Sequence, residues 1–198
     1  MHAQAATLTS TQNSTIALVS VAANAVISVA RTQTTIAQTY TNDEDCPIEA
    51  VYTFPLPVDA VLLDMTVRLG ERTLVGQIVP KADAERDYEE AIDEGKRAIM
   101  LEMLEAGLYT MNVGNLQPGE QCEIEYRYAL LNRWNGSTLR FSLPSTIAPR
   151  YGDPDARGLQ NHQVPTYSAD AGYTLDLKAT LDESLSGAVV TSPSHPIA

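Results

Sequence analysis

The sequence predicts a mainly all-β chain, a two-layer antiparallel β-sandwich with one short surface helix near residues 82–94, and three observations lead there. Apolar and polar residues alternate with period two in several segments, the pattern of half-buried strands. Gly, Pro and Asn-Gly signals punctuate those segments where a meander needs turns. Only KADAERDYEEAIDEGKRA, at 81–98, carries helical periodicity. About ten strands follow, and two packed sheets are the economical way to bury their apolar faces.

Residues 1–14 read as a flexible N-terminal tail and 15–198 as one sandwich domain. Ser14–Ala30 carries no charge and has high β-propensity, and Asn42-Asp43 marks the turn after the next strand. The stretch ending Val51-Tyr52-Thr53-Phe54 runs into Pro55-Leu56-Pro57. Two prolines without N–H groups end a ladder there and turn the chain. From 61 to 69, Val61, Leu63, Met65, Val67 and Leu69 alternate with Leu62, Asp64, Thr66 and Arg68, so the odd-numbered set is expected inward, and Gly70 stops the strand.

In the helical stretch, Ala84, Tyr88, Ala91 and Ile92 fall at i, i+4, i+7 and i+8 and form one apolar stripe. Burying its anchors, Tyr88 and Ile92, contributes about 3–5 kcal/mol. Gly95 suits a left-handed C-cap, with Lys96 and Arg97 against the negative end of the helix dipole. Glu85, Glu89 and Glu90 then point to water, Arg86 reaches Glu90 at i+4, and Glu94 mildly repels it. A catalytic carboxylate needs burial or a forced like-charged neighbour to raise its pKa, so this acidic cluster reads as the wet side of a structural prop.

Beyond it, Val113-Gly114-Asn115-Leu116 leads to Pro118-Gly119, which suits a type II turn. Cys122, Ile124, Tyr126 and Tyr128 alternate with Glu123, Glu125 and Arg127. Asn135-Gly136 suits the two central positions of a type I′ hairpin joining this strand to Leu139, Phe141 and Leu143. Trp134, the single Trp, reads either as an exposed interface residue or as a ring folded onto the sandwich end. Pro149 pushes Ala148 toward extended backbone, and Arg150 either pins the loop to a carboxylate or carbonyls or meets a partner. Residues 152–172 form a long aperiodic loop, of surface or binding type. Tyr173, Leu175, Leu177, Ala179 and Leu181 against Thr174, Asp176, Lys178 and Thr180 give the last strand.

The bulk chemistry excludes several functions. A net charge of −12, with no basic run longer than Lys96-Arg97, leaves no positive footprint for nucleic acid or an anionic membrane. No apolar run reaches the span of a bilayer, and no basic start precedes an unbroken apolar stretch, which favours a cytoplasmic setting. An upstream signal would instead make the protein secreted or cell-surface. Cys46 and Cys122 lack CxxC spacing, which argues against a metal site and leaves either a disulfide or two free thiols. His2, His162 and His195 show neither nucleophile-and-base spacing nor an i, i+4 pair, and no phosphate-binding glycine motif is present. No catalytic residue, cofactor or metal is therefore expected. The competing reading is a metal-dependent or carboxylate-based hydrolase using Asp153 and Asp155.

Four blocks in order resemble the VIT domain, named for vault proteins and inter-alpha-trypsin inhibitor heavy chains. They are Pro47 through Phe54-Pro55-Leu56-Pro57, then Tyr88-Glu89-Glu90-Ala91 with Gly95, then Val113-Gly114-Asn115-Leu116 with Pro118-Gly119-Glu120, and last Leu143 through Pro149-Arg150-Tyr151. Ser192-Pro193-Ser194-His195-Pro196 looks like the turn that follows the family's core. The resemblance implies a β-rich, non-catalytic interaction or scaffolding module that usually precedes a von Willebrand type A domain in a longer protein. The expected partner is that domain in cis or another protein, and the residues marked as structural are Phe54, Pro55, Pro57, Tyr88, Gly95, Gly114, Asn115, Pro118, Gly119, Pro149, Arg150 and Tyr151, with Trp134 and Arg150 as the candidate interaction surface.

Asp182-Glu183-Ser184-Leu185-Ser186 spells the metal motif of type A domains, but only 12 residues follow it, too few to supply the remaining ligands. The charge-free Ser14–Ala30 segment, together with a C-terminal strand near Val189 that would lack its neighbour, also makes a strand-exchanged dimer an expected hazard.

Overall fold

The structure, a computed structural model, describes residues 7–10, 16–76, 90, 101–105, 107–143 and 174–197. Two sheets face each other. One has four strands in the order β1 (Thr7–Ser10), β4 (Ile48–Pro55), β8 (Leu108–Leu116), β7 (Leu101–Glu105). The other has six, in the order β12 (Thr174–Leu181), β2 (Ala17–Ile27), β3 (Arg31–Thr41), β9 (Gln121–Leu131), β5 (Val61–Leu69), β6 (Arg72–Val75). A separate two-stranded hairpin, β10 (Trp134–Asn135) with β11 (Thr138–Leu139), completes the described strands.

Alternation builds the core. On β3 the residues Thr32, Thr34, Ile36, Gln38 and Tyr40 are buried, and on β9 Cys122, Ile124, Tyr126 and Tyr128 are. They meet β4, where Tyr52 lies edge-on to Tyr40 with ring centroids 5.9 Å apart and Phe54 lies 4.5 Å from Tyr126. These inter-sheet ring contacts are the seam of the sandwich. The opposite face of the large sheet is polar and carries cross-strand ion pairs, Arg68 with Glu123 at 2.5 Å and Arg127 with Asp64. Strand β4 is buried on both faces, since Val51 and Thr53 are covered as well as Ala50, Tyr52 and Phe54. Its sequence is accordingly apolar without clean alternation.

Among the described residues the antiparallel expectation holds for every pairing except one: β12 runs parallel to β2, with Leu177 beside Ala23 and Leu181 beside Ile27. On β5 the expected inward set fails at its start. A bulge between Leu62 and Asp64 shifts the register, so Leu62 packs on the core while Val61 and Leu63 are exposed; Met65, Val67 and Leu69 are buried as expected. Part of the expected N-terminal tail is a strand: β1 pairs with β4, and Leu8 is fully buried. The hairpin is displaced by one residue. Asn135 pairs with Thr138, so the loop residues are Gly136, at φ 60°, and Ser137, which moves Asn135 out of the turn centre. Phe141 and Leu143 belong to no strand.

The predicted helix near 82–94, with Tyr88 and Gly95, lies outside the described residues apart from Glu90, which is helical and exposed. Pro149, Arg150, Tyr151 and the 152–172 loop also lie outside them.

Candidate interaction surface

The Phe-Pro-Leu-Pro corner sets one boundary of the molecule. Phe54 is sandwiched between stacked Tyr52 at 5.0 Å and Tyr109 at 5.5 Å, and Pro55 closes the β4–β8 ladder opposite Leu108. Past it, Leu56 N–H donates to Gly107 O at 2.8 Å and Ala60 N–H to Pro57 O at 2.9 Å, so both prolines stand where no donor is required. Gly107 has φ 82°, and a Cβ there would lie 2.6 Å from Leu56 O. Only glycine fits that approach. Gly114 lies in β8 beside a bulge between Ala50 and Val51, and Asn115 follows it opposite Glu49.

A polar cluster runs through the core. The Gln38 amide oxygen accepts from the Tyr40 hydroxyl at 3.1 Å and from the Tyr52 hydroxyl, which is also bonded to Tyr126. Burial pushes the phenols of Tyr52 and Tyr126 well above the ordinary range, and that of Tyr128 up as well. The Thr34 hydroxyl opposite Tyr128 offsets part of its rise, although neither hydroxyl meets hydrogen-bond geometry with a partner. Burial first, then Glu120 and Glu123, pushes the Cys122 thiol up to about 12. Cys46 is exposed, and both cysteines are free thiols. A thiol held neutral in the core is no nucleophile.

Asn42, read from sequence only as a turn signal, is a fully buried fastener. Its amide donates to Cys46 O and Leu116 O, each at 3.0 Å, while its side-chain oxygen accepts from Glu44 N–H at 3.0 Å. Its backbone bonds Glu120 O and Gly119 N–H. Gly119 at φ 70° and the Glu120-to-Gln117 bond of 3.0 Å make Pro118-Gly119 the expected type II turn. An Asn whose own oxygen bonds the N–H two residues on is an Asx turn, and that much was legible in Asn42-Asp43-Glu44.

At the sandwich end formed by the β2–β3 turn, the apolar side chains Val29, Leu131 and Trp134 are exposed, Leu131 to 77%. The Trp134 indole N–H donates to Val29 O at 2.7 Å, so the ring is oriented across this end while remaining 39% exposed. Asn132 locks the turn beneath it, donating to Ser28 O at 2.7 Å and accepting from the Thr32 hydroxyl at 2.7 Å. From the other side Val29 N–H donates to the Ser184 hydroxyl at 3.1 Å, which brings the segment after β12 to the same end. Val61 is exposed opposite Ala129 in the β5–β9 ladder, and Arg133 pairs with Asp59 at 3.0 Å. The result is a pinned apolar surface with a polar rim, the composition of an interface.

Reactive chemistry is not assembled among the described residues, where no group of three His, Cys, Asp or Glu side chains could hold a metal. In the Asp182–Ser186 motif, the Asp182 carboxylate caps the following 3-10 turn, Glu183–Leu185, by accepting from Ser184 N–H at 2.8 Å and from its hydroxyl. That is a capping role. His195 meets only its neighbour Ser194 and a local turn from Ser192. Asp153 and Asp155 lie outside the described residues. No helix among the described residues is long and apolar enough to cross a membrane.

A family model described as "Vault protein inter-alpha-trypsin domain" matches residues 18–128. The chain is 33% identical over 148 residues to von Willebrand factor A domain-containing protein 5A of Mus musculus, covering 72% of this chain and 19% of that protein. It is 33% identical over 117 residues to protein mono-ADP-ribosyltransferase PARP4 of Homo sapiens, covering 59% of this chain and 7% of that protein. A von Willebrand factor A domain-containing protein of Dictyostelium discoideum is 28% identical over 148 residues, covering 73% of this chain and 14% of that protein. The chain thus spans less than a fifth of the length of these relatives.

Proposed function

The chain belongs to the vault protein inter-alpha-trypsin (VIT) domain family, and from that premise we propose that it is a non-catalytic protein-interaction module that packs against a von Willebrand type A domain in cis. The observation that carries the reading is the pinned apolar end formed by Val29, Leu131 and Trp134, reached also by the segment after β12 through the Val29–Ser184 bond. An exposed aromatic whose orientation is fixed by a hydrogen bond is a usual anchor of an interface. The names of the relatives support a type A domain as the neighbour.

Calorimetric titration with a type A domain from the same parent protein tests this. Saturable binding is expected, weakened about tenfold or more by Trp134→Ala, with the unfolding midpoint of the variant showing that the fold persists. Absence of binding, or unchanged affinity of W134A, overturns the reading. Heat on adding calcium or magnesium alone would instead favour the hydrolase alternative.

A further inference from the structure

We propose that the open edge of β12 is a self-pairing surface, through which two copies of the chain join their six-stranded sheets about a two-fold axis at Leu177. Strand β12 is the last strand of its sheet among the described residues, and Thr174 through Thr180 are all exposed along it. Its ladder to β2 runs without a register shift, and Asp182 N–H continues it by donating to Ile27 O at 2.9 Å. Backbone groups of successive strand residues turn to opposite sides, so even-numbered residues bond β2 and odd-numbered ones present N–H and C=O to the open edge. Leu175, Leu177 and Ala179 thus form an unpaired template.

The sequence on that edge is self-complementary. In an antiparallel pairing centred on Leu177, Leu177 meets its own copy, Leu175 meets Ala179, and Thr174 meets Thr180. Asp176 of each copy meets Lys178 of the other, twice across the axis. Because the odd residues carry the hydrogen bonds, Asp176 and Lys178 fall at the narrow pairs, where side chains approach most closely. They lie on the outer face, level with Ala22 and Asn24, while the leucines lie on the core-side face level with Val21 and Ala23. That core-side row, with Leu175 and Leu177 at 41% and 45% exposure, gains cover from the second copy. Any other centre on this strand loses the double Asp–Lys match.

The interface is separate from the Trp134 end and differs from strand exchange, since no strand leaves its own sheet. Sedimentation equilibrium on the full chain, over a concentration series to about 0.5 mM, reads the dimer; this range suits a small, edge-only interface. Asp176→Lys and Lys178→Asp should each weaken dimerisation about tenfold, by setting like charges opposite each other twice. The double swap D176K/K178D should restore it, and an equimolar mixture of the two single variants should form the heterodimer. Leu177→Pro places a ring where the N–H faces the open edge, which an edge strand tolerates, so it should stay folded by circular dichroism yet monomeric. A wild-type chain monomeric throughout, single variants as dimeric as wild type, failure of the swap and the mixture to restore dimer, or a dimer that survives L177P would each overturn the proposal; the last would assign the dimer to strand exchange or another face.

Discussion

Raising the pH should destabilise this protein steeply, because a titratable thiol and several phenols are buried in the sandwich. Cys122 would lose its proton near 9.0 in an open chain but holds it up to about 12 in the fold. Burial likewise holds Tyr52 and Tyr126 protonated well beyond their ordinary 10.0. Below their unfolded pKa values both states carry the protons, and stability is constant. Above them only the native state does, so the unfolded state binds fewer protons and stability falls as pH rises. At about pH 11 the solution is about two units above the unfolded pKa of the thiol and about one unit above that of Tyr126, together about 4 kcal/mol, and Tyr52 acts in the same direction. That is a large share of the stability of an ordinary domain. Urea midpoints followed by far-ultraviolet circular dichroism from pH 7 to 11 should show a plateau to about pH 8.5, a gentle decline from the thiol, then a steeper one from the phenols. Cys122→Ala should lower the plateau but remove the first decline. Unchanged midpoints through pH 10.5, or buried tyrosines ionising in an intact fold, would refute the argument.

Two further outcomes follow from the core. Gln38→Leu strips the Tyr52 and Tyr40 hydroxyls of a buried acceptor and should cost about 2–4 kcal/mol. Removing the Tyr52 hydroxyl as well, in Q38L/Y52F, should cost less than the two single losses combined, and additive losses in urea denaturation would contradict the bond. Gly107→Ala brings a Cβ to 2.6 Å from Leu56 O and should cost about 2 kcal/mol or more, whereas Gly119→Ala, with nothing within 4 Å, should cost about 1 kcal/mol, from its positive φ alone. Equal losses would mean that the backbone at the corner yields.

How far the sequence disclosed this molecule depends on whether the determinant is local. The Cys122–Tyr128 alternation, the Pro118-Gly119 turn and the Phe54-Pro55 corner are local patterns, and the structure repeats them. Val61 and Leu63 depart from the expected inward set because the bulge puts the start of β5 out of phase with Met65, Val67 and Leu69, and nothing in Leu62-Leu63-Asp64 marks a bulge. Asn135 was misplaced by one position because Gly136 alone satisfies the turn's need for positive φ. Gln38 read as an unremarkable polar residue among threonines; its role emerges only when Tyr52 arrives from the other sheet. The parallel placement of β12 had no local signal at all, since its register is set by β2. The interaction surface is half legible: Trp134 stands out as the single Trp, whereas Val29 and Leu131 carry no local mark and reach the same end only because the ladder sets Leu131 opposite Arg31 and Trp134 bonds Val29 O.

The β2–β12 pairing also carries a consequence for biogenesis. Ser20 waits for Thr174, 154 positions later in the chain. At ordinary synthesis rates that is roughly ten to thirty seconds during which one flank of an uncharged, β-prone strand has no native neighbour. Until β12 emerges from the ribosome, the nascent chain is exposed to errant pairing, and its quality of folding in the cell depends on what shields Ala17–Ile27 in that interval.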